Sequence, residues 1–264
     1  MKIYKNYDEE PEDIFLPITR ELYSDLYSLE MDTFSADIPF YQCHLPESGN
    51  ILEIGCGNGR VCRQLTDHKR KITAIDISLP MLKKARNSVG RSCHFLCMDM
   101  LNMAFSCHFN SIIIPYNTLN LLPHRDDILT CLHQCTTFLA NQGLLCLQLY
   151  LPALNTLRQK GKTFQFQMFD RPTGGKVIKE VLKKYNSASG LIEIEERFRI
   201  RPMKTGQANG DYNHFYTVAA FSFETWLELF WHAGFILEKS YGNYELEPVK
   251  SCNNSILMAV FQKK

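Results

Sequence analysis

The chain has 264 residues, 45% of them hydrophobic and 22% charged, enough to bury one sizeable α/β core. Its formal net charge is +1, so no global field draws it towards nucleic acid or an anionic membrane. Seven charged side chains among the first thirteen residues leave no apolar run for a signal peptide or a membrane span, so the ten cysteines are expected to be free thiols of a cytoplasmic protein.

In chain order, segment 1–49 reads as an N-terminal helical cap. Ile18 to Leu45 forms one or two helices rich in aromatic residues, among them Tyr23, Tyr27, Phe34, Phe40 and Tyr41. Segment 50–151 alternates strand and helix patterns, which predicts a parallel sheet flanked by helices. Its strands are short apolar runs, Ile51 to Ile54, Ile72 to Ile77, His94 to Met98, Ser111 to Pro115 and Leu144 to Tyr150, as expected where both sheet faces are covered. From Arg125 to Ala140, Ile128, Leu129, Leu132, Cys135, Phe138 and Leu139 recur at helical spacing, and Asn141-Gln142-Gly143 is expected to stop that helix. Segment 152–220 changes character. Candidate strands at Phe164 to Phe169, Lys176 to Tyr185, Leu191 to Ile200 and His214 to Ala220, separated by glycine turns, predict an antiparallel insertion or lid beginning near Asn155. In 221–264, Ser222 caps a helix from Phe223 to Ala233, and Phe235 to Tyr241 with Ser255 to Phe261 form a closing strand pair. Cys93, His94, Cys97, Cys107 and His108 match no zinc spacing, so no metal is expected.

The most informative stretch is Ile51-Leu52-Glu53-Ile54-Gly55-Cys56-Gly57-Asn58-Gly59-Arg60, an apolar strand running into a glycine-rich turn and then a helix. Such a turn lets a ligand approach bare backbone, and the helix that follows offers unpaired N–H groups. A dinucleotide fingerprint would need a third glycine where Arg60 stands. What is present, E-x-G-x-G-x-G, closely resembles the first motif of class I S-adenosylmethionine-dependent methyltransferases. Asp76, 23 positions after Glu53, ends the second strand, and Met98-Asp99-Met100 ends the third, both in the order the family places its ribose-binding and adenine-binding acids. Looser matches, Asp37 to Tyr41, Gly55 to Val61, Pro115 to Asn120, Phe138 to Gly143 and Ala233-Gly234-Phe235, resemble a small-molecule subgroup that includes glycine, sarcosine and sugar N-methyltransferases. Phe109-Asn110 and Asn141-Gln142-Gly143 depart from that subgroup's usual Phe-Asp and Pro-Gly-Gly.

The resemblance implies a single α/β domain with a Rossmann-like, seven-stranded, mostly parallel sheet, helices on both faces and the antiparallel β insertion after strand five. It implies S-adenosylmethionine as cofactor and a methyl group delivered to a nitrogen or oxygen of a small molecule, with no nucleic acid or membrane partner and a monomeric or homodimeric chain. Glu53, Gly55, Cys56 and Gly57 would line the amino acid end of the cofactor, and Asp76 would hold its ribose. Ile77, Met81 and Met100 would sandwich the adenine, Asp99 would take its amino group, and Tyr116 and Asn117 would face the sulfonium. Arg60, Tyr27 and Tyr41 are candidates for closing over the methionyl part, although Arg60 can instead pair with Asp37. The acceptor pocket is expected at Tyr116, Asn120, His124, His214 and Tyr216, with Tyr116 and His124 as the catalytic pair and His124 as the base for a hydroxyl acceptor. A non-catalytic cofactor-binding sensor is the alternative, and a nicotinamide-dependent oxidoreductase a weaker one.

Overall fold

A computed structural model describes residues 14–67, 69–152, 161–203, 209–249 and 254–264. The expected Asn155 and the opening charged residues lie outside these. The apolar runs become β2 (Gly49–Ile54), β3 (Arg70–Asp76), β4 (Cys93–Cys97), β5 (Phe109–Ile114) and β6 (Leu139–Tyr150). With β11 (Phe235–Tyr241) and β12 (Ile256–Lys263) they form a seven-stranded sheet in the order β11-β12-β6-β5-β2-β3-β4. β2 pairs in parallel with both β3 and β5, whereas β12 runs antiparallel to β6 and β11. The mostly parallel sheet predicted from the sequence is therefore present, with one reversed strand.

Both faces of this sheet are covered, which is why its strands carry so few polar positions. On one side Leu52, Ile54, Ile112 and Ile114 pack against α5 (Arg125–Phe138) and α6 (Phe223–His232). On the other, Ile51, Ile72, Ala74 and Ile113 pack against α2 (Ile38–His44), α3 (Arg60–Leu65) and α4 (Leu79–Val89). The helix expected to run to Ala140 ends at Phe138. Leu139 is already extended (φ −80°, ψ 132°) and pairs with Phe109, and Gln142, not a glycine, takes the left-handed turn at φ +61°.

The changed pattern after β6 is a second sheet of five strands, in the order β1-β10-β9-β8-β7. It is an antiparallel meander of β7 (Thr163–Asp170), β8 (Lys176–Asn186), β9 (Leu191–Arg201) and β10 (Gly210–Ala219), joined at its edge by the two-residue β1 (Leu16–Pro17). The expected N-terminal helical stretch divides into α1 (Arg20–Met31) and α2. Leu22, Tyr23, Leu26 and Leu29 of α1 pack on Val177, Phe198 and Ile200 of the second sheet. Among the described residues no helix is long and apolar enough to cross a membrane.

Asn120 ties the two sheets together. Its Nδ2 donates to the carbonyls of Tyr150 (3.1 Å) and Ala219 (2.6 Å), and its Oδ1 accepts from the Tyr150 amide at 3.0 Å. The side chain is fully buried. Its amide is thus spent on the ends of β6 and β10, which corrects the expectation that it lines the acceptor pocket. Leaving buried backbone groups unpaired costs about 1–3 kcal/mol each, so Asn120→Ala should destabilise the fold by about 2–4 kcal/mol in urea denaturation. A loss under about 0.5 kcal/mol would show that the two sheets are joined by other means.

Candidate functional site

The carboxyl ends of β2 and β3 meet at the glycine turn. The amides of Gly55 and Cys56 both donate to the carbonyl of Ile75, at 2.9 and 3.0 Å, so the chain folds back over β3 as it leaves β2. Two glycines of the turn are required by packing, since a Cβ on Gly55 would collide with Thr118 and one on Gly59 would lie 3.0 Å from Ala85 Cβ. Gly57 is different: at φ +54° a Cβ would meet only Tyr27 Cε1, 3.7 Å away. The space above its backbone is open to a ligand and roofed by one aromatic ring.

Asp76 stands at the mouth of this cradle. Its Oδ2 accepts from Gly57 N and its Oδ1 from Ser78 N, both at 2.8 Å. Burial raises its pKa against the backbone N–H groups of Ser78, Gly57 and Ile77, which lower it. Beside it lies apolar surface that the core leaves uncovered: Ile77 is 67% exposed, with Leu79 and Leu96 also exposed. Asp99 is exposed and accepts from Leu101 N at 2.9 Å, and Met100 is half-buried against the core. Met81 is buried, so it cannot share an open adenine slot with Ile77 unless the surface moves; its observed role is packing.

Below the cradle, Glu53 is almost fully buried, with Oε2 lacking a hydrogen-bond partner. Burial pushes its carboxyl up to about 8, although Arg60 and Cys62 pull the other way. Burial also pushes the Cys56 thiol up, so it is no ready nucleophile. Arg60 forms a buried two-pronged pair with Asp37, at 2.6 and 2.7 Å, and donates to Phe34 O at 3.1 Å. Its guanidinium carbon lies 5.0 Å from the Phe34 ring centre and 5.8 Å from that of Tyr116. Tyr41 is enclosed in the core with its hydroxyl unpartnered, and so does not close over an open ligand.

After β5 the backbone is strained. Tyr116 and Asn117 occupy consecutive left-handed conformations (φ +47° and +62°), each costing on the order of 1–3 kcal/mol. The turn is held by Asn117 N to Gln148 O and by Gln148 Nε2 to Asn117 Oδ1, both 3.2 Å. Tyr116 packs edge-on against Phe34 at 5.4 Å. Burial raises the pKa of its hydroxyl, and a polar cluster lies between α1 and the second sheet. In that cluster Lys179 Nζ lies 2.7 Å from both Glu30 and Glu196. His214 Nδ1 is 3.6 Å from Glu196 Oε2, and Tyr216 OH is 3.4 Å from Glu196 Oε1. The Tyr23 ring lies tilted against His214, with 4.4 Å between ring centres.

These features sit where comparison with known proteins finds its signal. The family described as "Methyltransferase domain" matches residues 51–143, from the first core strand through the turn after α5. Residues 51–143 are thus similar to that family. Over 107 residues it is 31% identical to the protein YqeM of Bacillus subtilis, named as a methyltransferase, which is 39% of this chain and 43% of that protein. The chain spans less than half the length of the curated relatives it matches. An S-adenosylmethionine-dependent methyltransferase structure from Clostridium acetobutylicum superposes with a TM-score of 0.74 at 16% identity, over 92% of this chain and 98% of that one. The sugar N-methyltransferase KedS8 from Streptoalloteichus gives 0.73 at 12% identity over the whole of both chains. These superpositions establish a methyltransferase fold that extends well beyond residues 51–143.

Tyr27, Glu53, Gly55, Cys56, Gly57 and Asp76 surround the turn, Ile77, Asp99 and Met100 follow the next strand ends, and Tyr116 and Asn117 form the strained wall. His214 and Tyr216 meet in the polar cluster. His124 does not join them: it is the exposed residue preceding α5, and among the described residues no hydrogen bond or ion pair links it to the site. Sequence reasoning missed Tyr23, Glu30, Lys179 and Glu196. The signal was available in the alternation of β9, where Ile192, Ile194, Phe198 and Ile200 are buried and Glu196 occupies the same phase.

Glu53 gives the site a pH signature. Because folding raises its pKa to about 8, the folded state binds more protons than the unfolded chain between the ordinary carboxylate range and that value. Stability contributed by Glu53 is therefore greatest at the acid end and falls as pH rises through the window, by about 1.4 kcal/mol per unit. Glu53→Gln should flatten the decline of urea-measured stability from about pH 5 to about pH 8. An unchanged slope in that variant would mean that Glu53 does not titrate in this range.

Proposed function

We propose that this chain transfers the methyl group of S-adenosylmethionine to a nitrogen or oxygen of a small molecule. The observation that carries the reading is the juxtaposition of two halves: an open backbone cradle at Gly57 with Asp76 at its mouth, and a polar cluster that α1 shares with it, Tyr27 lying over the cradle and Tyr23 and Glu30 in the cluster. The residues fit the cofactor. A Cβ at Gly57 would project into the open space under Tyr27, and Oε2 of Glu53, buried and unpartnered among the described residues, lies beneath the same turn.

In this reading Glu53, Gly55, Cys56 and Gly57 hold the amino acid end, with Tyr27 above. Asp76 accepts from the ribose hydroxyls, Ile77 and Met100 flank the adenine, and Asp99 takes its amino group. When bound, S-adenosylmethionine supplies an activated methyl on a sulfonium with a neutral leaving group, so no side chain has to act as a nucleophile. Alignment is then the main task of the protein, and fixing reacting groups in line can supply roughly 7–11 kcal/mol of a barrier. The strained Tyr116-Asn117 wall suits that task, since it is braced by Gln148. His214 and Tyr216 line the acceptor side. The proposal extends to a cytoplasmic enzyme, monomeric or homodimeric, working without a metal and without nucleic acid or membrane as substrate. A small acceptor agrees with the net charge of +1.

Calorimetry tests the cofactor half directly: S-adenosylhomocysteine should bind and NAD should not. Losing a charge-assisted hydrogen bond costs about 1.5–3 kcal/mol, so Asp76→Ala should weaken S-adenosylhomocysteine at least about tenfold. Asp76→Asn, which keeps one acceptor for the turn, should lie between. Unchanged affinity in both variants would remove Asp76 from the site. Chelators and Cys56→Ala should leave substantial methyl transfer, and its loss on chelation would contradict the metal-free reading.

A further inference from the structure

The polar cluster contains two unsatisfied atoms, and they face each other. Glu196 is buried, its side chain 5% accessible. Its Oε1 is engaged by Lys179 Nζ at 2.7 Å and Tyr216 OH at 3.4 Å. Its Oε2 has no hydrogen-bond partner among the described residues, nor has His214 Nδ1, and both atoms are shut off from solvent. They stand 3.6 Å apart, so a shift of a few tenths of an ångström joins them. The His214 side chain as a whole is 35% accessible. Its exposure must therefore fall on the part of the ring turned away from Glu196. Tyr23, at 4.4 Å, and Tyr216, at 5.1 Å between ring centres, hold the imidazole in place.

We propose that His214 is the proton acceptor in methyl transfer, with Glu196 as its positioning residue; this rests on the methyltransferase reading above. With Nδ1–H donating to Glu196 Oε2, the lone pair of the neutral imidazole lies on Nε2. The proton of a protonated amine or of a hydroxyl acceptor passes to Nε2, and the electron pair of the broken bond stays on the accepting atom. That pair forms the bond to the methyl carbon as the carbon–sulfur bond breaks and its electrons return to sulfur. The imidazolium left behind lies against Glu196.

Glu30 on α1 and Glu196 on β9 share the ammonium of Lys179 on β8. Among the described residues the other titratable groups facing the cluster are Tyr23 and Tyr27 on α1, Tyr216 on β10, Tyr116 after β5, and Lys183 on β8, whose charge is disfavoured by burial and Lys179 and favoured by Glu196. Sequence position gave His124 the base's role, but only His214 has a buried carboxylate aimed at one ring nitrogen.

The test has a spectroscopic and a kinetic arm. In protein with labelled histidine and bound S-adenosylhomocysteine, long-range nitrogen–proton spectra should find neutral His214 as the Nδ1–H tautomer. Glu196→Leu should return it to the Nε2–H form that free imidazole prefers. In the kinetic arm, S-adenosylmethionine carrying a labelled methyl is incubated with a small-molecule metabolite extract. His214→Asn should lower labelling about 100-fold or more, with S-adenosylhomocysteine affinity held within about twofold as the check on folding. Added imidazole should restore part of the labelling in His214→Ala. An Nε2–H tautomer in the wild type, or His214→Asn retaining more than about a third of the labelling, would overturn the assignment. A wild type that binds no S-adenosylhomocysteine fails earlier, and takes the methyl-transfer reading with it.

Discussion

Asp37 and Arg60 meet through two short hydrogen bonds with almost no access to water, and much of the site is arranged around that contact. Removing two such charges from water costs several kcal/mol each, so the pair persists only where its geometry is fixed and its remaining donors are used. Both conditions hold here. Asp37 immediately precedes α2 and Arg60 opens α3, so the pair locks the N-terminal helices onto the glycine turn. The guanidinium also donates to Phe34 O and packs on Phe34 and Tyr116. Asn58 reinforces the clamp by donating to Ser28 at 3.2 Å and Asp32 at 2.6 Å. One ionic contact therefore sets the height of Tyr27 above Gly57 and the position of the Tyr116 wall.

The glycine turn and the acids beside it were legible in the sequence because their determinants are local. A glycine spacing, an acid ending each of the next two strands and an apolar run before each are all written within 50 residues, and parallel strands bring them together in one predictable way. The acceptor half is different. Glu30, Lys179, Glu196 and His214 come from α1, β8, β9 and β10, and only the register of the second sheet, with Glu196 opposite His214 and Val181, places them together. Asn120 and His124 were drawn into the pocket by their nearness to the strand-five turn. One is consumed by backbone groups of both sheets and the other sits on the helix surface, outcomes set by tertiary packing that no local pattern records.

The two ionic assemblies of this protein differ in a way that separates structure from chemistry. Arg60 and Asp37 satisfy each other, and no unpaired atom of either remains in the interior among the described residues. The Lys179 assembly leaves Glu196 Oε2 and His214 Nδ1 unpaired, a state that is costly in a region of low dielectric and that a purely structural cluster would be expected to resolve. Glu196 is held below the ordinary glutamate range despite burial, because His214 and Lys179 both favour its charged form. A buried anion beside a half-exposed imidazole is an arrangement with unused capacity for a proton.

Helix α1 connects the two halves. Tyr23, Tyr27 and Glu30 lie four and then three residues apart, on one face of the helix. Tyr27 overhangs the Gly57 cradle, Tyr23 lies tilted against His214, and Glu30 pairs with Lys179. The contact with the cradle thus sits between the two contacts with the polar cluster, within about two turns of one helix whose position is fixed by the clamp at Asn58 and Arg60. Any movement that tilts α1 must shift the roof of one site and the wall of the other together. The relative placement of the cradle and the cluster is in that sense a property of α1 rather than of either one, and Tyr23 serves both the apolar contact with Phe198 and the contact with His214.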